Sequence, residues 1–188
     1  MQTVPQATST INHGLTAEAL FALGDRPCCE LIDGRIVHLP PIGALHGKAA
    51  LQLGRLIADF AENQHLGWVL VGEVGIITRR NPDRVRGADA VLVARSQSDT
   101  LPEGFLDFGP AAVFEIASAN DRWRDVQDKL DEYFAIGVGQ VWMVDPRRRQ
   151  VTIYTGPTTG ERFDAADRIA GNGILEGLTL DVARLFPA

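Results

Sequence analysis

The chain has 188 residues, 45% of them hydrophobic and 22% charged, with a formal net charge of −6. Those values suit one globular domain with a well-developed core. The acidic balance argues against tight, non-specific nucleic-acid binding by the whole surface, which needs excess Lys and Arg, while leaving room for a local basic patch.

Met1 to Gly14 is polar and has no apolar stretch, so it reads as a loose tail and not as a secretory signal. Residues 15–188 read as a single domain without repeats or linkers. The longest apolar runs, such as Ala88 to Ala94, are too short to cross a bilayer, which makes a cytoplasmic protein without membrane contact the default. Leu15 to Leu23 has helical spacing and ends at Gly24, a C-cap residue. Cys28 and Cys29 are adjacent, a poor geometry for a disulfide and too few ligands for zinc. They read as small buried hydrophobes.

Glu30 to Leu39 reads as a hairpin, because two apolar pairs flank Asp33-Gly34, a strong two-residue turn signal. Pro40-Pro41 and Gly43 then break the chain. Leu45 to Gln64 is the clearest helix, with Leu51, Leu53, Leu56, Ile57 and Phe60 as its apolar stripe. Trp68 to Ile77, Ala88 to Ala94 and Ala111 to Ala117 read as strands. Asn120 to Ile136 is the second long helix; Ser118 to Asp121 has capping-box form. Gln140 to Val144 and Gln150 to Thr155 are strands around an Asp145-Pro146 turn, and Leu180 to Phe186 reads as a short terminal helix. This order predicts an α/β fold with a central sheet. Arginines cluster at Arg79 to Arg86, at Arg122 and Arg124, and at Arg147 to Arg149. Each cluster alone reads as a solvated turn; together they form a phosphate-contacting rim only if these loops meet on one side.

The informative feature is acidic residues inside apolar strands. Asp89 sits in Gly-Ala-Asp-Ala-Val-Leu-Val and Glu115 in Ala-Ala-Val-Phe-Glu-Ile-Ala. An ionised carboxylate among apolar neighbours loses its hydration at several kcal/mol unless something compensates. Either one alone fits a polar position on a one-sided sheet. Two such strands, consecutive in the chain, are spatial neighbours roughly two-thirds of the time. Carboxylates brought that close repel unless one protonates or a cation intervenes, and Mg²⁺ is the hard, oxygen-liganded ion that suits such a pair with waters. Lys129 borders the apolar face of the second helix. It either makes an exposed pair with Asp125 or Glu132 or reaches the carboxylates, where its charge would orient a water or stabilise a phosphoryl group. Glu30 alone is an ordinary strand-start glutamate, and His46 reads as a helix cap or surface residue, with lining a cleft the lesser alternative. Asp145 reads as a turn residue.

These residues carry a resemblance. Glu30-Leu31-Ile32-Asp33-Gly34 resembles an "E-L-I-D-G" hairpin, Ala88-Asp89-Ala90-Val91 a "P-D-V" strand, and Glu115-Ile116-Ala117-Ser118 an "E-V-x-S" strand. Lys129 to Tyr133, Gly137-Val138 and Val141 to Pro146 resemble "K-x-x-x-Y…G-V…Y-W-L-V-D-P". Over about residues 15–155 this is similar to the bacterial "putative restriction endonuclease" family, common in cyanobacteria and assigned to the PD-(D/E)XK nuclease superfamily. The resemblance implies a restriction-endonuclease-like fold with a central mixed β-sheet flanked by helices. It implies Mg²⁺, or Mn²⁺, at Asp89, Glu115 and Glu30, with Lys129 completing a catalytic set that hydrolyses nucleic acid, DNA first. A cleft-forming homodimer fits such a fold. The sequence departs from the pattern at Ala117, where the superfamily lysine stands, so Lys129 takes over that role. It departs also at Ala88, where Pro is usual, and at Cys29, where an aromatic is common. Two other classes compete: a non-catalytic binding or scaffold protein with the same fold, and a carboxylate glycosidase, which would need an aromatic sugar cleft that a 7% aromatic content does not offer.

Overall fold

A computed structural model describes residues 14–24, 28–118 and 122–186. The expected tail therefore lies outside the described residues apart from Gly14. In chain order the elements are α1 (Ala17–Ala22), β1 (Cys29–Ile32), β2 (Arg35–His38), α2 (Ala44–Asn63), β3 (Gly67–Arg79), β4 (Arg84–Ala94) and β5 (Ala112–Ile116). There follow α3 (Trp123–Ala135), β6 (Gln140–Asp145), β7 (Gln150–Gly156), β8 (Thr159–Asp164), β9 (Arg168–Ala170) and β10 (Thr179–Asp181), with 3₁₀ turns at Gly173–Leu175 and Val182–Leu185.

The hairpin closes as its sequence demands. Asp33 and Gly34 both take positive φ, 53° and 74°, the handedness a two-residue turn between twisted strands requires. β1 and β2 then pair in register from Cys29–His38 to Ile32–Arg35. The expected helix at residues 180–186 is corrected to a short strand, β10, followed by a 3₁₀ turn, and β8 and β9 were not foreseen. The start expected for the second helix, Asn120, lies outside the described residues; α3 is capped at Arg122 without a side-chain bond. Cys28 is exposed and Cys29 half-buried, neither in a disulfide, which corrects the expectation of two buried thiols. They stand at the entry to β1, where the strand has not yet passed under the core. No helix among the described residues is long and apolar enough to cross a membrane.

The main sheet is mixed, in the order β2-β1-β4-β5-β6-β7-β8, with β3 paired to β4 off this path. β5 and β6 run parallel, and α3 is the crossover between them. Helices cover both faces. Ala90 and Leu92 of β4, Phe114 of β5 and Trp142 of β6 pack with Leu53 and Ile57 of α2. The alternate residues Val91, Val113 and Val141 pack with Leu130 and Tyr133 of α3. Strands buried on both faces read as continuous apolar runs, which is why β4 and β5 look as they do in sequence. This also removes the one-sided-sheet reading for the acidic residues within them, because neither face is open to water along the paired length.

One edge of β4 creates a notch. β3 pairs along most of one side, but the other side is shared: Val85 meets Leu31 of β1, and Ala90 to Leu92 meet β5. Between these contacts, among the described residues, no strand lies beside residues 86–89. Side chains take the place of the missing strand, as buried backbone polar groups require. The Gly87 N–H donates to Glu30 Oε1 at 3.3 Å, and the Gly87 carbonyl accepts from Lys129 Nζ at 3.2 Å.

Candidate active site

Glu30, Asp89, Glu115 and Lys129 all line one cleft of about 780 Å³ that opens from this notch. Each arrives from a different element. β1 brings Glu30, the notch itself brings Asp89, β5 brings Glu115, and α3 brings Lys129 over the top. The Lys129 ammonium lies 3.1 and 3.2 Å from the two oxygens of Glu115 and 3.4 Å from Glu30 Oε1. Of the two readings of Lys129, the one that reaches inward is the one observed. Glu132, its expected exposed partner, is instead engaged by Arg84 and Arg86.

Glu115 is buried, and the Tyr133 hydroxyl donates to its Oε1 at 2.7 Å. Burial pushes the Glu115 carboxyl up to about 7; Lys129 pulls it down and Asp89 pushes it up again. Burial, with Glu115 next to it, holds the Tyr133 hydroxyl well above its ordinary range, so it stays a donor. The Lys129 pKa is raised despite burial, because Glu115 and Glu30 hold the proton on. The site thus carries a fixed ammonium and a carboxyl poised near neutrality, the kind of perturbation that marks functional clefts.

Glu115 titrates near 7 in the fold against an ordinary 4.5, so between those values the folded chain holds more proton than the unfolded one. Stability from this group is complete below about pH 4.5 and falls as pH rises through about 7. In EDTA, the stability of the wild type relative to Glu115→Gln is expected to decline across that window. A difference that stays flat from pH 4 to 8 would contradict it.

Asp89 is held on both sides. Its Oδ2 accepts from the Ile116 N–H at 2.7 Å, and its Oδ1 lies 2.7 Å from His46 Nε2. That places Asp89 beside Glu115 through the backbone of the very next residue. His46, expected as a cap or surface residue, sits in the first turn of α2 with its side chain 11% exposed and belongs to the site. Glu30 is buried and differently used. Its Oε2 accepts from Arg86 Nη1 at 2.8 Å while Oε1 takes the Gly87 N–H.

Glu73 also lines the cleft and was missed. It stands on a bulge in β3, where register shifts between Val71 and Val74 and Gly72 and Glu73 take φ of 100° and 58°. A Cβ on Gly87 would come within 2.5 Å of Glu73 Oε2, so the absence of a side chain there admits the carboxylate. Burial, then the Asp89 charge, raises its pKa. The sequence signals are Gly72, a glycine within a strand pattern, and Glu73 itself, a carboxylate inside an apolar strand.

Whether these residues suit a divalent cation is a matter of donor chemistry. Asp89 and Glu115 are hard oxygen donors with lone pairs left over after the bonds above. Mg²⁺ is commonly held by one or two carboxylates with waters and substrate phosphate, so this pair fits it. Among the described residues no group of three or more His, Cys, Asp or Glu stands close enough to hold an ion. Glu30 in particular is drawn toward Arg86 and the Gly87 N–H instead of joining the pair.

The arginines of residues 79–86 are not a free rim. Arg79 pairs with Asp33, Arg80 with Glu18 and Asp83, Arg84 with Asp33 and Glu132, and Arg86 with Glu30 and Glu132. Arg148 pairs with Asp145, and Arg149 lies over the Phe186 ring. Arg147 lines the cleft.

A family model described as Uma2, "Putative restriction endonuclease", matches residues 17–183. No curated protein matches the chain. Among solved structures, a crystal structure described as "a putative nuclease belonging to DUF820 from Anabaena variabilis ATCC 29413" is similar, with a TM-score of 0.76. It is 19% identical, over 91% of this chain and 97% of that one, a likeness that speaks for the fold.

Proposed function

From the premise that the chain belongs to the Uma2 "Putative restriction endonuclease" family, we propose that it is a metal-dependent endonuclease that hydrolyses nucleic-acid phosphodiester bonds. The observation that carries the reading is the Lys129 ammonium set 3.1 Å from Glu115, on a lysine delivered by α3 and not by the strand. Asp89 and Glu115 are the residues that would hold a divalent cation, Mg²⁺ or Mn²⁺. Such an ion, when bound, supplies Lewis-acid charge and lowers the pKa of a bound water.

The chain's own groups do the rest. His46 and the Ile116 N–H fix the Asp89 carboxylate in one orientation, as hydrogen bonds to the far side of a ligating group do. The Tyr133 hydroxyl fixes Glu115. Lys129 is a positive charge that needs no reorganisation to meet a phosphoryl oxygen, and such preorganisation is where most electrostatic catalysis comes from. Glu30 and the Gly87 carbonyl aim that ammonium. A non-catalytic scaffold is the second reading, favoured by the net charge of −6.

The test is a metal titration with DNA and RNA substrates. Cleavage that appears with Mg²⁺ or Mn²⁺, stops with EDTA, and drops about a hundredfold in Lys129→Ala is the expected result. Metal binding with no cleavage of any strand would favour the scaffold instead.

A further inference from the structure

Much of the cleft's lining is apolar. Beside Glu30 and Asp89, a wall runs from the end of β2, where Val37 pairs with Glu30, through the proline loop to the first turn of α2, where His46 meets Asp89: Val37, Leu39, Pro40, Pro41, Ile42 and Leu45. Val37 is 42%, Ile42 55% and Leu45 52% exposed. Contiguous exposed aliphatic side chains lining a concave site mark a surface for a ligand.

The charges of the cleft limit what that ligand is. Among the described residues, three permanent cations line it, Arg86, Lys129 and Arg147. Arg86 is spent on Glu30 and Glu132, and Lys129 on Glu115 and Glu30. Arg147 is the one without an ion pair among the described residues. A protein that grips duplex DNA along its backbone typically neutralises several phosphates with Lys and Arg. This cleft offers a phosphoryl centre, one spare arginine and an apolar wall. Those three features match one phosphodiester with its adjoining base exposed, and a base is exposed only when it is unpaired or extruded.

We propose that the site takes its phosphodiester from an unpaired strand, with the base beside the scissile bond resting on the Val37–Leu45 wall and a neighbouring phosphate at Arg147. This rests on the nuclease reading above. The affinity of such a site comes from base contact more than from charge, so it is sequence-tolerant and only weakly salt-dependent.

The experiment compares cleavage, with Mg²⁺, of a single-stranded oligonucleotide, the blunt duplex of the same sequence, and the single strand with one abasic nucleotide at the cut position. The single strand is expected to be cut at least about tenfold faster than the duplex, and removal of the base is expected to raise KM about fivefold. In Ile42→Ser/Leu45→Ser, whose thermal midpoint reports folding, KM for the intact strand is expected to rise by a similar factor. The abasic strand should then show no further loss, because wall and base act on each other. Equal cutting of strand and duplex, or base removal and wall substitution that add independently, overturns the inference and leaves the nuclease reading standing. Wall variants that change the oligomeric state without touching strand preference assign the wall to a second copy and also overturn it. Cleavage of no strand removes the nuclease reading and this inference with it.

Discussion

Asp89→Asn is expected to lower metal-dependent cleavage by at least about a thousandfold in a chain that still folds. Asparagine is nearly isosteric, and its side-chain oxygen can keep the bond from the Ile116 N–H that now spans 2.7 Å. What disappears is the negative charge beside Glu115, on a group 10% exposed where water screens little. Loss of a single preorganised electrostatic group costs on the order of 10²–10³ in rate, and loss of a cation-holding carboxylate adds the loss of the cation. The same change relieves the repulsion that raises Glu115. The metal-free variant should therefore match the wild type in thermal midpoint or exceed it. Cleavage assays with calorimetry in EDTA read both effects. Retained activity would remove Asp89 from the reaction, and a collapsed midpoint would show that its role is structural.

The same substitution separates what the sequence could reveal from what it could not. Asp89 and Glu115 stood out because strands buried on both faces are written in apolar residues, and a carboxylate breaks that text. The hairpin was legible from Asp33-Gly34, since a turn needing positive φ at two residues selects a short list of pairs. α2 was legible from its 3.6-residue periodicity to within a residue at each end. These are local signals, each complete within a few positions.

The features that were hidden depend on distance along the chain. His46 meets Asp89 across 43 positions, and nothing near His46 announces it. Glu73 enters the cleft because a bulge re-aims it and Gly87 leaves space for it. β8 and the small β9-β10 sheet were missed because short, polar edge strands carry little hydrophobic alternation. The arginines of residues 79–86 read as solvated turn residues, and as part of a rim only together with the other clusters, because sequence shows their charge and not their partners. Their carboxylates come from α1, the hairpin and α3, 51 positions away for Asp33 and Arg84 and 56 for Glu30 and Arg86.

Arg86→Met is expected to destabilise the fold by about 3 kcal/mol, near the lower end for breaking a buried pair. Its guanidinium is 10% exposed and serves two carboxylates at once. Nη1 reaches Glu30 at 2.8 Å, while Nε and Nη2 make a forked pair with Glu132 at 2.8 and 2.7 Å. Methionine fills most of the volume and none of the charge, so both carboxylates stay behind in a half-dry site. The loss stays near the lower bound because Glu132 keeps Arg84 and Thr78, and Glu30 keeps Lys129. For a chain of this size, that is a fall of about 6–12 °C in thermal midpoint. The effect should reach the chemistry as well. Glu132 lies one turn from Lys129 on α3, so the fork to Arg86 helps set where that helix docks and where the ammonium arrives. Arg86→Met/Glu132→Leu removes the fork and the orphaned charge on α3 together, and is expected to regain more than half of the lost stability. Activity should not return with it, because Glu30 remains without its guanidinium and α3 without its anchor. A double variant as unstable as the sum of the two single changes would show that Arg86 and Glu132 are not coupled, and would locate the anchoring of Lys129 elsewhere.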